Sequence, residues 1–387
     1  MSTQVTSYIA ALTVPGAVIG IIGGGQLGAM MATAARTMGY RIAVLDPNPE
    51  APAAAIADHV ITAPYNDPNA ARQLAECSDI VTYEFEHIDL GTLALIADVG
   101  CLPQGSHLIR ISQHRRLEKE AITALGLPVA PYANIVSAAD LDVATESIRF
   151  PAVLKTCMGG YDGKGQVVVK HRSELEDAWR QLGDYAPLVL EQWIPFEREV
   201  SVIVARSTNG ETCCLPTAEN EHCQNILHRT QVPARIAADV DARAQQIALT
   251  LAEGLNLVGT LAVELFVARD GTLYVNELAP RPHNSGHFSI DACETSQFEQ
   301  HVRAICGLPL GDTRLLSPVV MENILGQHIA PLMARLTQLE SLHLHLYGKT
   351  RVVSQRKMGH LTALGPSTAD CMRRLDQFWT SPAVEAE

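Results

Sequence analysis

Residues 155–166 read Lys-Thr-Cys-Met-Gly-Gly-Tyr-Asp-Gly-Lys-Gly-Gln, with Pro-Ala-Val-Leu directly before them and Val-Val-Val-Lys directly after. Two short runs rich in β-branched and apolar residues on either side of a glycine cluster predict a β-hairpin, with the glycines at its tip. That excludes a Walker-type loop, which must open a helix and end in Gly-Lys followed by Ser or Thr. Glycines let a backbone close over phosphates, successive N–H groups attract anionic oxygens, and Lys155 and Lys164 add point charges. The stretch therefore reads as a flap over a nucleoside triphosphate; an ordinary glycine-rich hairpin is the competing reading.

Upstream the pattern is different. Residues 1–15 have no periodicity and read as a loose arm ending at Pro15. An apolar strand over 17–22 runs into Gly23-Gly24-Gly25-Gln26-Leu27-Gly28, a helix to Met38 and a second strand ending at Asp46. On its face this is a dinucleotide fingerprint, although a strand, a glycine turn and a helix N-terminus suit any anion. Asp46-Pro47-Asn48-Pro49 also makes a turn, which would account for the acid without a ribose. A further strand delivers Tyr83-Glu84-Phe85-Glu86 to the sheet end where open α/β folds bind ligands. Ser112 is a plausible N-cap for the helix that carries Arg115, and the β/α alternation stops there.

In the second half, residues 188–191 form a strand leading into Gln192-Trp193-Ile194, and a helix over 239–253 turns an apolar stripe inward. Residues 261–277 predict two strands joined by a two-residue Asp270-Gly271 turn. In that register Glu264 and Glu277 face one another across the hairpin, with Cβ atoms about 4.5–5.5 Å apart. Opposed carboxylates need a cation between them: magnesium on nucleotide phosphates, or a lysine or arginine. The segment 278–287, with Arg281, His283 and His287, reads as a rigid loop presenting outward donors. Residues 312–387 read as a small final unit with strands at 319–325 and 342–347 and a frayed helix and tail. His343 and His345 alternate with leucines, as on a half-exposed strand face rather than as metal ligands.

The formal net charge of −13 argues against nucleic acid or an anionic membrane as a partner, so an anionic ligand must be held by local cations. No apolar run reaches membrane-spanning length and the first residues lack a signal peptide's basic region, so the expectation is a cytoplasmic protein. Nine cysteines, odd in number and without Cys-x-x-Cys spacing, signal neither a disulfide framework nor zinc; Cys213, Cys214, His222 and Cys223 are too irregularly spaced for a metal site.

In order along the chain, Gly-Gly-Gly-Gln-Leu-Gly (23–28), Tyr-Glu-Phe-Glu (83–86), the 154–166 flap, Asn-Glu-Leu-Ala-Pro-Arg-Pro-His-Asn-Ser-Gly-His (276–287), Ser-Gln-Phe-Glu-Gln-His (296–301) and Arg-Lys-Met-Gly-His (356–360) resemble the N5-carboxyaminoimidazole ribonucleotide synthetases of the ATP-grasp superfamily. The resemblance implies a mixed α/β and α+β protein. It would have an arm (1–15), a Rossmann-like domain (16–115), an ATP-grasp domain with a mobile lid (116–311) and a small C-terminal β domain (312–387). It implies ATP-dependent joining of bicarbonate to 5-aminoimidazole ribonucleotide through carboxyphosphate, in purine biosynthesis, by a homodimer. Carried over residue by residue, ATP would be held by Arg115, Lys155, the flap residues Gly160, Tyr161, Asp162, Gly163, Lys164, Gly165 and Gln166, the hinge Glu191, Gln192, Trp193 and Ile194, and Glu199, His222, Asn276 and Glu277. Mg2+ would sit on Glu264 and Glu277. Tyr161, Asp162, Lys164 and Lys357 would be catalytic, and Gln26, Glu84, Arg281, His283, Lys349 and Arg356 would bind the second substrate. Three positions depart from the family pattern: His114 replaces an acid, Asn225 a glycine, and residues 350–355 lack the usual proline and glycine. Another ATP-grasp ligase, an NAD-dependent dehydrogenase and a nonenzymatic nucleotide-binding regulator are the alternatives.

Overall fold

The computed structural model describes residues 12–159 and 165–381. Its first layer is a four-stranded parallel sheet in which Val18–Ile22 lies between Arg41–Leu45 and Ile80–Tyr83, with His59–Ile61 outermost. The near-continuous apolar runs of these strands suit a sheet covered on both faces. Of the arm, residues 1–11 lie outside the described residues. The part next to the sheet is not loose: the Thr13 N–H donates to Cys306 O at 3.0 Å, and the Tyr40 hydroxyl donates to Thr13 O at 2.7 Å.

A second, antiparallel sheet has the order Tyr132–Ile135, Leu188–Gln192, Ala152–Thr156, Gln166–Val169. Its last two strands pair Lys155 with Gln166, so the glycine-rich stretch is the tip of a hairpin, as its flanks predict. The third sheet is larger. Phe196–Arg206 and Gly259–Ala268 pair along nearly their whole lengths, and the Ala238–Gly254 helix packs Ala244, Ala248 and Leu251 against them. Across the sheet run Ala218–Cys223, Ile226–Val232, Val319–Leu325, Lys357–Leu364 and Leu342–Leu346. The C-terminal strands thus extend this sheet; they do not form one of their own.

Several local expectations are corrected. Ser112 ends the His107–Ser112 helix, and the Arg115–Ala124 helix starts after His114, whose side chain makes no capping bond. The C-terminal helix is not frayed: Thr368–Thr380 is capped by Ser367 and buries Cys371, Leu375 and Phe378. The 261–277 turn is a three-residue one. Leu265 pairs with Val275, Phe266 with Tyr274 and Val267 with Leu273, leaving Arg269, Asp270 and Gly271 as the loop, with Gly271 at φ +79°. A bulge beyond Leu265 then restores the opposition of Glu264 and Glu277. The predicted facing pair is present, but the bulge at Asn276 produces it, not the turn.

Candidate active site

A cavity of about 460 Å3 opens between the second and third sheets. Of the residues singled out from the sequence, Arg115, Lys155, Gln166, Glu191, Gln192, Trp193, Ile194, Glu199, His222, Glu264, Asn276, Glu277, Arg281, His283 and Lys357 line it. Gly160, Tyr161, Asp162, Gly163 and Lys164 lie outside the described residues. Gly165 accepts from the Thr156 N–H at 2.8 Å, closing the hairpin below its tip.

The polar floor follows from strand alternation. Lys155 sits opposite Val189 and Val153 opposite Glu191, so Lys155 and Glu191 share one face of the sheet. Lys155 Nζ donates to Glu191 Oε2 at 2.9 Å, and Lys119 Nζ lies 3.3 Å from Glu191 Oε1. Burial opposes the Glu191 charge, but the two ammonium groups outweigh it and hold the carboxyl at about 2. Burial lowers Lys155, with Arg115 and Lys119 adding repulsion. One carboxylate therefore holds two lysines, and Arg115 adds further positive charge, a density suited to phosphate.

Opposite this floor stand the acids. Asn276 and Glu277 both line the cavity although they are sequence neighbours, because the bulge turns consecutive side chains to one side. Glu264 is pushed up to about 7, first by burial and next by Glu277. Its neighbour His283 Nε2 lies 3.4 Å away. Burial keeps that imidazole well below its usual value, so it is neutral and forms no ion pair with Glu264. Glu264 thus keeps a proton that a divalent cation between the facing carboxylates could replace. An all-oxygen donor set of two carboxylates and an amide fits Mg2+. His222 Nδ1 makes a very short contact with Glu199 Oε2. Burial would lower the imidazole, but the bond and charge of Glu199 raise it above its ordinary value.

The 283–287 loop is tied inward, contrary to the outward donors expected of it. Asn284 and Ser285 are buried and His287 is fully so. Ser201 Oγ donates to Ser285 Oγ at 2.7 Å, and Asn284 exchanges side-chain hydrogen bonds with Asn323 at 3.0 and 2.7 Å. Arg281 closes the wall with an ion pair to Glu86 at 2.5 Å.

Glu118 and Phe266 also line the cavity without having been singled out from the sequence, and Glu86 lines it from the Tyr83-Glu84-Phe85-Glu86 stretch expected at the ligand-binding end of the first sheet. Glu118 was visible in principle, since it and Lys119 follow Arg115 by three and four residues and share its helix face. Glu118 accepts from the Leu278 N–H at 2.8 Å, and burial, then Glu277, push its carboxyl up to about 8.

Gln26, Glu84, Lys349 and Arg356 are not among the residues lining the cavity. Glu84 occupies the glycine turn: its carboxylate accepts from the Gly25 and Gly28 N–H groups at 2.6 Å each. Asp46 accepts from the Gly24 N–H and the Tyr65 hydroxyl, each at 2.7 Å. The protein's own carboxylates fill the anion site of the helix N-terminus, which leaves no place for a pyrophosphate. The turn role of Asp46 prevails over the ribose role, and the dehydrogenase reading falls with it. Lys349 donates to Lys357 O at 2.7 Å and is lowered to about 8 by burial, then by Arg356.

Residues 17–113 match the ribonucleotide synthetase preATP-grasp domain, 120–298 the ATP-grasp domain and 319–374 the phosphoribosylaminoimidazole carboxylase C-terminal domain. The N5-carboxyaminoimidazole ribonucleotide synthase of Bacillus subtilis (strain 168) is 51% identical over 365 residues, 94% of this chain and 96% of that protein. The chain belongs to the N5-carboxyaminoimidazole ribonucleotide synthases, ligases of the ATP-grasp superfamily. Solved synthases carry the same fold. One, in complex with ADP, has a TM-score of 0.92 at 52% identity, over 95% of this chain and 98% of that one. The Aspergillus clavatus synthase, in complex with ADP and 5-aminoimidazole ribonucleotide, has a TM-score of 0.87 at 30% identity, over 94% of this chain and 97% of that one.

Proposed function

We propose that this synthase binds ATP between the 152–169 hairpin and the Glu264–Glu277 strand pair, and carboxylates the exocyclic amine of 5-aminoimidazole ribonucleotide with bicarbonate, releasing ADP and phosphate. The observation that carries the reading is the split of one cavity into a cationic floor, Lys155 and Lys119 on Glu191, and an acidic wall, Glu264 and Glu277. Binding of ADP and 5-aminoimidazole ribonucleotide by the Aspergillus clavatus relative supports the same assignment.

In this reading Lys155 and Arg115 neutralise the triphosphate, Glu191 to Ile194 form the adenine edge, and Glu199 with His222 holds the ribose. Mg2+, when bound, neutralises the phosphate charge that spreads during transfer; Glu264, Glu277 and Asn276 would hold it. Bicarbonate is a poor electrophile. Attack of its oxygen on the γ-phosphorus breaks the bond to the β-phosphate oxygen and gives ADP and carboxyphosphate. Carboxyphosphate then breaks into carbon dioxide and phosphate, and the amine nitrogen bonds to the carbon as its proton leaves. Carboxyphosphate would be lost to water in an open site, which gives a covering flap its purpose. Arg281, His283, Lys357, Lys349 and Arg356 supply cations and donors for the ribosyl phosphate and the ring. Gln26 and Glu84 would act near the same substrate, and Tyr161, Asp162 and Lys164 of the flap would act on it too, with Asp162 accepting the amine proton. A homodimer is part of the proposal on family resemblance alone.

The test is ADP release with ATP, Mg2+, bicarbonate and 5-aminoimidazole ribonucleotide, omitting each in turn, together with carboxylated product. Full turnover is expected only with all four. Asp162→Asn should bind ATP but form no product; turnover at the unaltered rate would remove the proton-accepting role. ADP release that is indifferent to the ribonucleotide would remove the whole reading.

A further inference from the structure

A second concentration of ligating side chains lies behind the 283–287 loop, where the Ser289–Ala292 helix meets the C-terminal strands. Asp291, His345 and His360 each offer a ligand atom within 4.8 Å of the others. Strand register places His345 directly across from His360, and their rings stack at 4.5 Å with an interplanar angle of 15°. Asp291 Oδ2 is 2.9 Å from His345 Nε2, and Asp291 Oδ1 is 3.5 Å from His343 Nδ1. Two residues apart on one strand, His343 and His345 present the same face.

The ion pair accounts for Asp291 and His345. It does not account for His360. That imidazole is fully buried, its Nδ1 is 2.9 Å from the Tyr347 hydroxyl, and its Nε2 has no partner among the described residues. A buried polar atom without a partner is uncommon and asks for a missing ligand. With Nδ1–H donating to Tyr347, Nε2 carries a bare lone pair; a metal-ligating histidine is held in the same way by its other nitrogen.

We propose that Asp291, His345 and His360, with His343 as a fourth donor, bind a transition-metal dication of the zinc class at a site separate from the nucleotide cavity. Two or three imidazoles and a carboxylate match the nitrogen and oxygen preference of Zn2+, whereas Mg2+ prefers oxygen alone. The protonation states agree: burial and the neighbouring His287 and His345 keep His360 well below its usual value, and His345 and His343 hold Asp291 low against the effect of burial. Tetrahedral ligands about 2.0–2.1 Å from a metal stand about 3.3–3.4 Å apart, so ligand atoms lying within 4.8 Å of one another must close by up to about 1.5 Å. The side chains of His343 and His345, 50% and 30% exposed, can make that movement and give the ion its way in. A metal here would pin the helix that follows the 283–287 loop to the Lys357–Leu364 and Leu342–Leu346 strands of the large sheet.

The experiment uses the full chain, stripped of metal and dialysed against limiting Zn2+ in excess Mg2+, which occupies the all-oxygen site of the cavity. Elemental analysis should find one zinc per chain. His345→Ala and Asp291→Asn should each weaken retention roughly 10- to 100-fold or more, while a Glu264→Gln/Glu277→Gln double variant retains the ion. Co2+ in place of Zn2+ should give visible absorption bands that His345→Ala abolishes. His343→Ala, at the exposed edge, carries the test if the other two variants do not fold, with a smaller loss expected. No retained zinc, or retention equal in wild type and every variant of Asp291, His343 and His345, would overturn the proposal; the second result would place the ion elsewhere in the chain.

Discussion

At the scale of single residues, the acidic wall of the cavity fixes a pH dependence. Glu264 has an ordinary value of 4.5 and is raised to about 7 in the fold, first by burial and then by Glu277. Between those values the folded chain holds a proton that the unfolded chain releases. The associated stability is complete below about pH 4.5 and is lost as pH rises through about 7, in all about 1–3 kcal/mol. Glu118, raised to about 8, adds a loss of the same sign slightly higher. The metal-free protein should therefore melt at a lower temperature at pH 8 than at pH 6, and Glu264→Gln should flatten part of that decline. In the proposed arrangement Mg2+ would take the place of the proton, so its stabilising shift in calorimetry should grow with pH and level off above about 7. A Mg2+ shift equal at pH 6 and pH 8 would contradict the assignment of Glu264 as a cation ligand.

At the scale of elements, the strand that carries His222 turns on a departure from the family pattern. Ala218–Cys223 and Ile226–Val232 are joined by Gln224 and Asn225, at φ +51° and +63°. Two consecutive left-handed residues make the type I′ turn that matches strand twist, and after glycine, asparagine is the residue that tolerates it best. Asn225 can thus stand where glycine is usual without altering the hairpin. Asn225→Gly should change stability by well under about 1 kcal/mol, and Asn225→Val should cost about 1–2 kcal/mol, read by urea denaturation. The valine variant should also raise the KM for ATP, since Asn225, Leu227 and His222 line one wall. The same hairpins mark how far sequence reading reaches. Period-two alternation located the strands, and the Glu264–Glu277 opposition emerged from an assumed two-residue turn. The actual turn has three residues, and Asn276 takes up the difference in a bulge. Bulges are set by what a strand packs against, and turn composition carries no trace of that. Glu118 was missed for a related reason: its function depends on Leu278 and Glu277, some 160 residues later in the chain.

At the scale of the molecule, one cavity draws on all three parts of the chain: Glu86 and Gln113 from the first, the 152–169 hairpin and the Glu264–Glu277 strands from the middle, and Lys357 from the end. The order of these parts could be read from the motifs. The continuity of the large sheet from Phe196 to Leu364 could not, because strand neighbours distant in sequence leave no local pattern. The most misleading stretch was the first glycine motif, whose spacing suits a dinucleotide. Its meaning is decided sixty residues later by Glu84, which spends both carboxylate oxygens on the Gly25 and Gly28 N–H groups. A dinucleotide would have to expel a half-buried carboxylate from a helix N-terminus, losing two charge-assisted hydrogen bonds before making any of its own. In the proposed arrangement Mg-ATP would meet no such barrier in the cavity of about 460 Å3. At a concentration near 100 times its dissociation constant, a ligand bound only by the folded state adds about 2.7 kcal/mol. Mg-ATP should therefore raise the melting midpoint by several degrees, and NADH at equal concentration should leave it unmoved. A shift with NADH that Glu84→Gln enlarges would show that the glycine turn opens to anions after all, and would place a second nucleotide site in the first domain.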